Sequence, residues 1–177
     1  VNPSLTIKCS ASEYVDEDQL QSDEAKLFGC SPDYNVYTQS VNAAPKGNET
    51  NLRTTGMHVH IGYPDNNISR SELLIKYMDM YLGIPSILKD SDDRRRQLYG
   101  KAGCFRLTSY GIEYRVISGL FIKNDELIGF VWDQTQKAIK AWLNNDPLLN
   151  SESVVSIINN ADVVEAEKVC KMFKLLS

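Results

Sequence analysis

The chain has few cysteines, only two histidines and no long apolar run. Its four cysteines, Cys9, Cys30, Cys104 and Cys170, lie far apart, and no CxxC pair is present, which argues against a zinc knuckle or a thioredoxin-like site. A two-disulfide framework is typical of smaller secreted domains, so we expect free cytosolic thiols. No segment approaches the roughly 20 apolar residues that cross a bilayer. We therefore expect a soluble protein with no membrane partner.

The nucleotide-binding signatures of two common folds are also missing. No G-x-G-x-x-G follows a strand and no G-x-x-x-x-G-K-[ST] is present, so neither a Rossmann site nor a P-loop is expected. The net charge of -4 provides no overall field that would attract nucleic acid. Any polyanion would have to be held by a local cluster of basic side chains.

Composition and length are those of one globular domain. The chain has 177 residues, of which 42% are hydrophobic and 24% charged. We predict a single domain over 1–177, with a helical C-terminal part over 124–177. The chain begins at Val1 with neither an initiator Met nor a signal segment, so we expect a processed product or a fragment.

Alternating apolar and polar residues predict several strands. The pattern occurs from Leu5 to Cys9, after Pro32, and over 57–61, 105–108 and 112–116. The last two segments follow one another closely, and we predict that they form an antiparallel pair.

Helical spacing predicts four helices. The clearest runs from a Ser69–Glu72 capping box to Leu82 and is expected to stop at Gly83 and Pro85. The others are expected over 127–142, 154–158 and 163–173, while the polar segment 89–96 is predicted to be a loop. Strands separated from helices along the chain predict an α+β fold, with a mainly antiparallel sheet and helices on one face.

The two histidines, His58 and His60, are two residues apart on a predicted strand, so both imidazoles point to the same side. Glu113 and Arg115 repeat this spacing on a second strand. If the apolar residues of both strands enter one core, the four polar side chains share the other surface. The alternatives are exposed sheet histidines, a zinc or iron site at His-x-His, and an ordinary surface ion pair.

Three further groups of residues are candidates for a site. Asp33 and Asn35 could supply oxygen ligands for magnesium or form an Asx turn. The run Arg94 to Arg96 suits phosphate binding, although such runs are usually solvated. Arg106 is either a site residue or a surface arginine.

The ordered set of motifs resembles a known family. Thr55-Gly56-Met57-His58-Val59-His60 is similar to the Gly-Met-His-x-His strand of glutamine synthetases, and Ile112-Glu113-Tyr114-Arg115 is similar to their Ile-Glu-x-Arg strand. Phe28 to Asn35, Gly56 to Gly62, Arg95 to Gly103 and Tyr110 to Arg115 together resemble bacteriophage carboxylate-amine ligases (amidoligases) of type 2. The resemblance covers about Leu5 to Lys123 and implies a glutamine-synthetase-like fold.

The resemblance implies ATP- and magnesium-dependent amide formation through an acyl phosphate. In this interpretation His58 and Glu113 bind magnesium, His60 contacts an ATP phosphate, and Arg115 stabilises the transferring phosphoryl group or holds a substrate carboxylate. The carboxylate and amine substrates would be small molecules, peptides or protein side chains, in the host cytoplasm if the chain is phage-encoded. Glutamine synthetases complete their sites across subunits, which leaves a homo-oligomer open.

The same resemblance assigns the remaining charged residues. One or more of Arg95, Arg96 and Arg106 would bind phosphate, and Asp33 would be a second metal ligand or would help to deprotonate the amine. The acidic pair that the first strand of this fold normally carries is not found before Leu5, and Glu13 is a poor substitute. The domain is therefore expected to be a piece of a longer ligase, to take these ligands from elsewhere, or not to be an active enzyme.

Two other functions remain open at this stage. The chain could be a non-catalytic phage structural or interaction module, for which Trp132 and Trp142 on one helix would supply a docking surface. It could also be a zinc hydrolase that uses His58 and His60, which requires a third ligand and a bound water.

Overall fold

The structure is a computed structural model that describes residues 7–28, 33–43, 50–64 and 67–176. The predicted strand from Leu5 to Cys9 lies partly outside this range, and its described residues, 7–9, are not in a strand. Residues 29–32 of the family-like motif, including Cys30, also lie outside it. The three described cysteines are free thiols, as expected.

The described residues form two antiparallel sheets. A small sheet pairs β1 with β4, and the main sheet has the strand order β3-β2-β6-β7-β5. The strands are β1 (Ser12–Tyr14), β2 (Tyr34–Asn35), β3 (Ser40–Val41), β4 (Leu52–Thr54), β5 (Val59–Gly62), β6 (Cys104–Thr108) and β7 (Gly111–Tyr114). The predicted antiparallel pair is β6 with β7, and this prediction is confirmed.

The register of the main sheet separates apolar from charged side chains. Tyr114 lies opposite Val59 on one side and Phe105 on the other, and Ile112 lies opposite Ile61 in the same way. Opposed residues of an antiparallel pair point to the same face, so these side chains share the core face. Glu113 and its neighbours on β5 and β6 necessarily point to the other face.

Seven helical segments accompany the sheets in the described residues. They are α1 (Asp23–Lys26), α2 (Ile68–Met78), α3 (Ile84–Ser86), α4 (Asp93–Leu98), α5 (Asp125–Asn144), α6 (Ser151–Asn159) and α7 (Val163–Met172). Short 3₁₀ turns occupy Glu17–Leu20 and Gly119–Ile122. Among the described residues, no helix combines the length and apolar character needed to span a membrane.

One face of the main sheet is covered by helices. Helix α2 packs on β6 and β7, α5 packs on α2, and α6 and α7 contact α3. Leu74, Ile75 and Met78 of α2 are fully buried in the same apolar cluster as Phe105 and Tyr114 of the sheet. The predicted α+β class with helices on one face is confirmed, whereas the glutamine-synthetase-like topology and the single-domain boundary stay predictions.

Helix α2 begins and ends differently from the prediction. Asn67, rather than Ser69, is the N-cap, and its side chain accepts a hydrogen bond from the N–H of Arg70 at 3.0 Å. The helix does not stop at Gly83, because a π-helical turn over Asp79–Gly83 leads directly into α3. The widened turn accommodates Pro85 at the start of α3, where a missing N–H breaks no hydrogen bond.

The polar segment 89–96 is not a continuous loop, because α4 spans Asp93–Leu98, so that prediction is wrong for residues 93–96. Asp92 caps α4, since its side chain accepts hydrogen bonds from the N–H groups of Arg94 and Arg95. The residues that α4 buries are Arg95 and Arg96. An arginine face carries no apolar periodicity, which is why the pattern did not indicate a helix.

The π-helical turn places a carboxyl group inside the core. Asp79 is fully buried and accepts hydrogen bonds from the hydroxyl of Tyr114 at 2.8 Å and from the N–H of Gly103 at 2.7 Å. Burial outweighs these hydrogen bonds and raises the pKa of Asp79 to about 7. The folded protein therefore favours the neutral carboxyl group.

The raised pKa of Asp79 predicts a pH dependence of stability. Between pH 3.8 and about 7 the folded chain binds more protons at Asp79 than the unfolded chain, so this group lowers the free energy of unfolding as the pH rises. We expect Asp79→Asn, which keeps an acceptor for the N–H of Gly103, to reduce this dependence. Urea denaturation at pH 4.5, 6 and 7.5 measures it.

The matched control is Asp133→Asn, which changes an exposed carboxylate on α5. It should keep the pH dependence of the wild-type chain. Equal slopes for the wild-type chain and Asp79→Asn would show that the carboxyl group of Asp79 does not titrate abnormally in the folded state.

Candidate functional site

Three strands bring charged side chains side by side on the face that the helices leave open. Glu113 on β7 lies directly opposite His60 on β5 and Arg106 on β6. Extending the register of β2 and β6 by one residue places Asp33 opposite Arg106. The pleat therefore forms a row of four functional groups from residues that are far apart in sequence.

His58 and Arg115 flank this row at its buried end. Arg115 donates a hydrogen bond to Oε1 of Glu113, and its Nη1 lies 3.3 Å from Nδ1 of His58. Nδ1 of His58 is also 2.7 Å from Oε1 of Glu113. Glu113 and Arg115 are 8% and 5% exposed, whereas His58 and His60 are solvent-accessible. The predicted sharing of one face by these four side chains is confirmed.

Asp33 completes the charge balance around Arg115. Its Oδ1 lies 2.5 Å from Nε of Arg115 and 3.8 Å from Nε of Arg106. Asp33 is buried, so the guanidinium of Arg115 is held between two carboxylates, Asp33 and Glu113. Glu13 belongs to the small sheet, where it pairs with Lys8 at 2.9 Å. Among the described residues, Asp33 rather than Glu13 is therefore the second carboxylate, beside Glu113, on this face of the sheet.

The charges shift one another's pKa values. Burial opposes ionisation of Glu113, but the hydrogen bond and the charge of Arg115 outweigh it and hold the pKa of Glu113 below its ordinary value. Asp33 and Glu113 likewise overcome burial and raise the pKa of Arg115. Burial, with the charge of Arg115, lowers the pKa of His58. At neutral pH these shifts favour a charged Glu113, a charged Arg115 and a neutral imidazole at His58.

Two imidazoles and one carboxylate form a set that fits a divalent cation. One ligand atom each from His58, His60 and Glu113 lies within 4.8 Å of the others. Neutral imidazole and carboxylate are ligating forms, and their mixed nitrogen and oxygen donors suit Mn²⁺, Fe²⁺ or Zn²⁺. Mg²⁺ prefers oxygen, so it would rely on Glu113, water and phosphate oxygens.

Arg95 and Arg96 lie beside the site, but their donors face the backbone. Arg95 donates to the carbonyl oxygens of Thr55, Val116 and Ile117 at 2.7–2.8 Å. Arg96 donates to those of Gly100 and Val116. Gly100 has φ +71°, and a Cβ there would lie 1.8 Å from Nη1 of Arg95, so this turn requires glycine.

Through these contacts with described residues, both arginines stabilise the fold. They join α4 to the segment that follows β7 and to the segment before β5. Phosphate binding by Arg95 and Arg96 is not tested by these contacts and stays a prediction.

One residue of the site was not predicted from the sequence. The hydroxyl of Tyr110, in the turn between β6 and β7, lies 2.6 Å from Nδ1 of His60. A partner on one ring nitrogen fixes the orientation of a histidine and leaves the other nitrogen for a ligand. No periodic pattern marks Tyr110, because its contact with His60 depends on the register of β5 against β7.

Comparison with protein-family models identifies the relatives of the chain. A model described as "Phage phiEco32-like COOH.NH2 ligase-type 2" matches residues 35–131. The chain belongs to this carboxylate-amine ligase family. The match includes every predicted site residue except Asp33, and it ends within α5. Comparisons with curated proteins and with solved structures give no match.

The geometry of the His58, His60 and Glu113 set predicts that Glu113 supports cation binding. Glu113→Gln removes the only carboxylate of the three-residue set, so we expect the affinity for Mn²⁺ to fall about tenfold or more. Electron paramagnetic resonance of free Mn²⁺ measures the binding directly. Mg²⁺ should compete only weakly in the absence of phosphate ligands, because two of the three donors are nitrogen.

Glu126→Gln is the matched control for this substitution. Glu126 lies on α5, its side chain is 79% exposed, and it pairs with Lys89 at 3.5 Å. Its removal should leave Mn²⁺ binding unchanged. If Glu113→Gln also binds Mn²⁺ with the wild-type affinity, Glu113 is not a ligand in this ligase.

The contact of Tyr110 with His60 predicts a smaller effect on the same measurement. Tyr110→Phe removes the hydroxyl that orients the imidazole, so Mn²⁺ affinity should fall about tenfold, the lower end of the usual range for such outer partners. Tyr34→Phe removes a hydroxyl on the core-facing side of the sheet and should have no effect. Equal affinities for the two variants would exclude a positioning function of Tyr110.

Proposed function

We propose that this chain joins a carboxylate to an amine at the expense of ATP, through an acyl phosphate. The observation that carries the proposal is the convergence of His58, His60, Glu113 and Arg115 on one sheet face. Membership of a carboxylate-amine ligase family supports amide formation. The use of ATP would place the reaction in the cytoplasm, that of the host if the chain is phage-encoded.

Activation is needed because a carboxylate does not condense with an amine unaided at neutral pH. An oxygen of the substrate carboxylate attacks the γ-phosphorus of ATP, and the bond from this phosphorus to the bridging oxygen of ADP breaks. ADP leaves with the bonding electron pair. Since phosphoryl transfer is mainly a matter of positioning and charge neutralisation, several fixed positive charges are required.

The arginines of the open face are placed to neutralise this charge. Arg106 lies beside Glu113, and the side chain of Arg106 is 32% exposed. It can therefore contact a phosphate of ATP on the open face of the sheet. Arg115 is held by Asp33 and Glu113, so its orientation is already set before substrate binds. Pre-organised charges stabilise a transition state without a further ordering cost.

His58 and Glu113 would hold a divalent cation in the ligase, with His60 beside them at the phosphates. The cation would supply positive charge to the phosphate oxygens of ATP. His60 is oriented by Tyr110 and is exposed, so its free ring nitrogen can face a phosphate.

The second step forms the amide. The amine nitrogen attacks the acyl carbon, the carbon–oxygen bond to phosphate breaks, and inorganic phosphate leaves. The amine must lose a proton, and Asp33 is the carboxylate that lines the adjacent cavity. We therefore assign Asp33 as the proton acceptor, in addition to its function in orienting Arg115.

This proposal predicts binding of MgATP to the chain. Isothermal titration calorimetry should detect saturable binding of MgATP, and Arg106→Gln should weaken it about tenfold, because one phosphate contact to a charged donor is lost. Arg94→Gln is the control, since Arg94 pairs with Asp92 on the outer surface of α4 and should not contribute.

Absence of MgATP binding would refute the ligase mechanism for this chain. Equal weakening by Arg106→Gln and Arg94→Gln would indicate a general electrostatic effect and would remove Arg106 from the site. Once an acid substrate is known, hydroxylamine should trap the acyl phosphate as a hydroxamate in the presence of MgATP.

A zinc hydrolase is a second candidate, because the structure supplies the third ligand that it requires. His58, His60 and Glu113 form a three-ligand set of the kind that catalytic zinc sites use. Metal analysis of the purified chain distinguishes the two functions: stoichiometric zinc would favour the hydrolase. Nothing comparable favours a docking module, since Trp142 is buried against Tyr63 and only Trp132 is exposed.

A further inference from the structure

A cavity of about 280 Å³ adjoins the charged cluster. Asp33, His58 and Arg115 of the site form part of its lining. Leu27, Phe28 and Tyr99 form another part, which is apolar and aromatic. One cavity thus combines reactive polar groups with a surface that favours an apolar ligand.

The aromatic side chains of the lining contact one another and a basic side chain. The rings of Phe28 and Tyr99 meet edge to face, with centroids 5.6 Å apart. The guanidinium of Arg53 lies 5.1 Å from the centroid of Phe28. Arg53 is itself fixed, since it donates hydrogen bonds of 2.9 Å to the carbonyl oxygens of Thr50, Leu52 and Ala25. The aromatic surface is therefore formed before any ligand binds.

The lining also includes a buried positive charge. Arg95 is 2% exposed, and within the described residues its hydrogen bonds go to backbone carbonyls and none goes to a carboxylate. Burial and the charge of Arg96 lower the pKa of Arg95 to about 10, so the guanidinium stays charged at neutral pH. Carbonyl dipoles and the more distant charges of Asp90 and Asp33 balance this charge in part, and an anion in the cavity would add to that balance.

The neighbouring acids are already engaged. Asp33 pairs with Arg115, and Asp90 accepts hydrogen bonds from the hydroxyl of Ser118 and the N–H of Asp92. Arg115 shares its charge with Asp33 and Glu113, whereas Arg95 donates to backbone carbonyls, so the charge of Arg95 can attract a ligand carboxylate in the cavity at long range.

We propose that this cavity binds the acid substrate, and that this acid carries an apolar or aromatic group near its carboxylate. The inference rests on the proposed ligase function and adds the class of acid to it. The carboxylate would lie beside Arg115 and His58, where it can receive the phosphoryl group, and the apolar group would contact Phe28 and Tyr99.

The size of the cavity is compatible with a small acid substrate. Its volume is slightly below the roughly 300–1,000 Å³ of sites for drug-sized ligands, and corresponds to about nine water molecules at ~30 Å³ each. A ligand of the size of a large amino acid fits this space. ATP would then occupy the exposed part of the site around His60 and Arg106.

Direct binding of a small aromatic acid tests the proposal without ATP or metal. The probe is 3-phenylpropanoate, measured by isothermal titration calorimetry on the complete chain. We expect saturable binding, at least tenfold weaker binding of the uncharged 3-phenylpropanamide, and a similar loss for glutarate, a polar diacid that lacks the ring. The amide removes the charge that the cavity should recognise, and glutarate replaces the ring with a second carboxylate.

Phe28→Ala should weaken 3-phenylpropanoate at least fivefold, and Phe28→Leu, which keeps an apolar side chain, should weaken it less. The control is Tyr14→Ala, because Tyr14 also packs under a guanidinium, that of Arg94 at 5.6 Å, but does not line the cavity. Thermal unfolding of each variant verifies that it is folded. If the Phe28→Ala variant does not fold, the Phe28→Leu variant still tests the contribution of the aromatic ring.

Three outcomes would overturn the inference. These are no binding of 3-phenylpropanoate, equal binding of the amide, or binding of AMP that depends on Phe28 while the acid does not bind. The MgATP titration described above reports separately on the ligase mechanism. MgATP binding without acid binding would refute only the pocket, whereas acid binding without MgATP binding would refute the ligase.

Discussion

Arg115 is held between two carboxylates, Asp33 and Glu113, at the buried end of the site. Buried charges are stable in a protein only when they are paired, and removal of one partner from such a cluster typically costs about 3–5 kcal/mol. This cluster therefore links two strands, because Asp33 precedes β2, Glu113 lies on β7 and Arg115 follows β7. The same contacts that stabilise the open face of the sheet also set the orientation of Arg115, which lines the adjacent cavity.

The strand pleat is what makes this arrangement compatible with a stable core. Ile112 and Tyr114 are fully buried under the helices, while the alternating residues Glu113 and Arg115 point to the opposite face. Burial of these apolar residues stabilises the sheet. The opposite face can therefore carry charged side chains without loss of the core. The aromatic cavity lies next to that face, which brings a site for an apolar group within reach of the charged groups.

Much of the site could be predicted from local patterns, because a period of two is a local property. His58 with His60, and Glu113 with Arg115, each occupy i and i+2 of a strand, so their common face follows from the sequence. The β6–β7 pair and helices α5, α6 and α7 also carry clear periodic signals. Helix α4 does not, because its buried face consists of arginine side chains whose partners, the carbonyls of Thr55, Val116 and Ile117, are distant in sequence.

The contacts of Asp33, Tyr110 and Arg95 could not be derived in the same way. Asp33 belongs to the site because β2 pairs with β6, and Tyr110 reaches His60 because β5 pairs with β7. Arg95 was predicted to bind phosphate, and its position shows a guanidinium that holds two segments together at the wall of a cavity. In each case the decisive partner comes from another part of the chain.

The sequence by itself therefore determined the fold class, the faces of the strands and the family-like order of His58, His60, Glu113 and Arg115, since these depend on the alternation of side chains along the backbone. Tertiary structure alone decided which acid joins them, how Arg115 is held, and that an aromatic cavity adjoins the charges. The physical reason is that strand pairing and burial bring together groups whose separation in sequence contains no information about their distance in space.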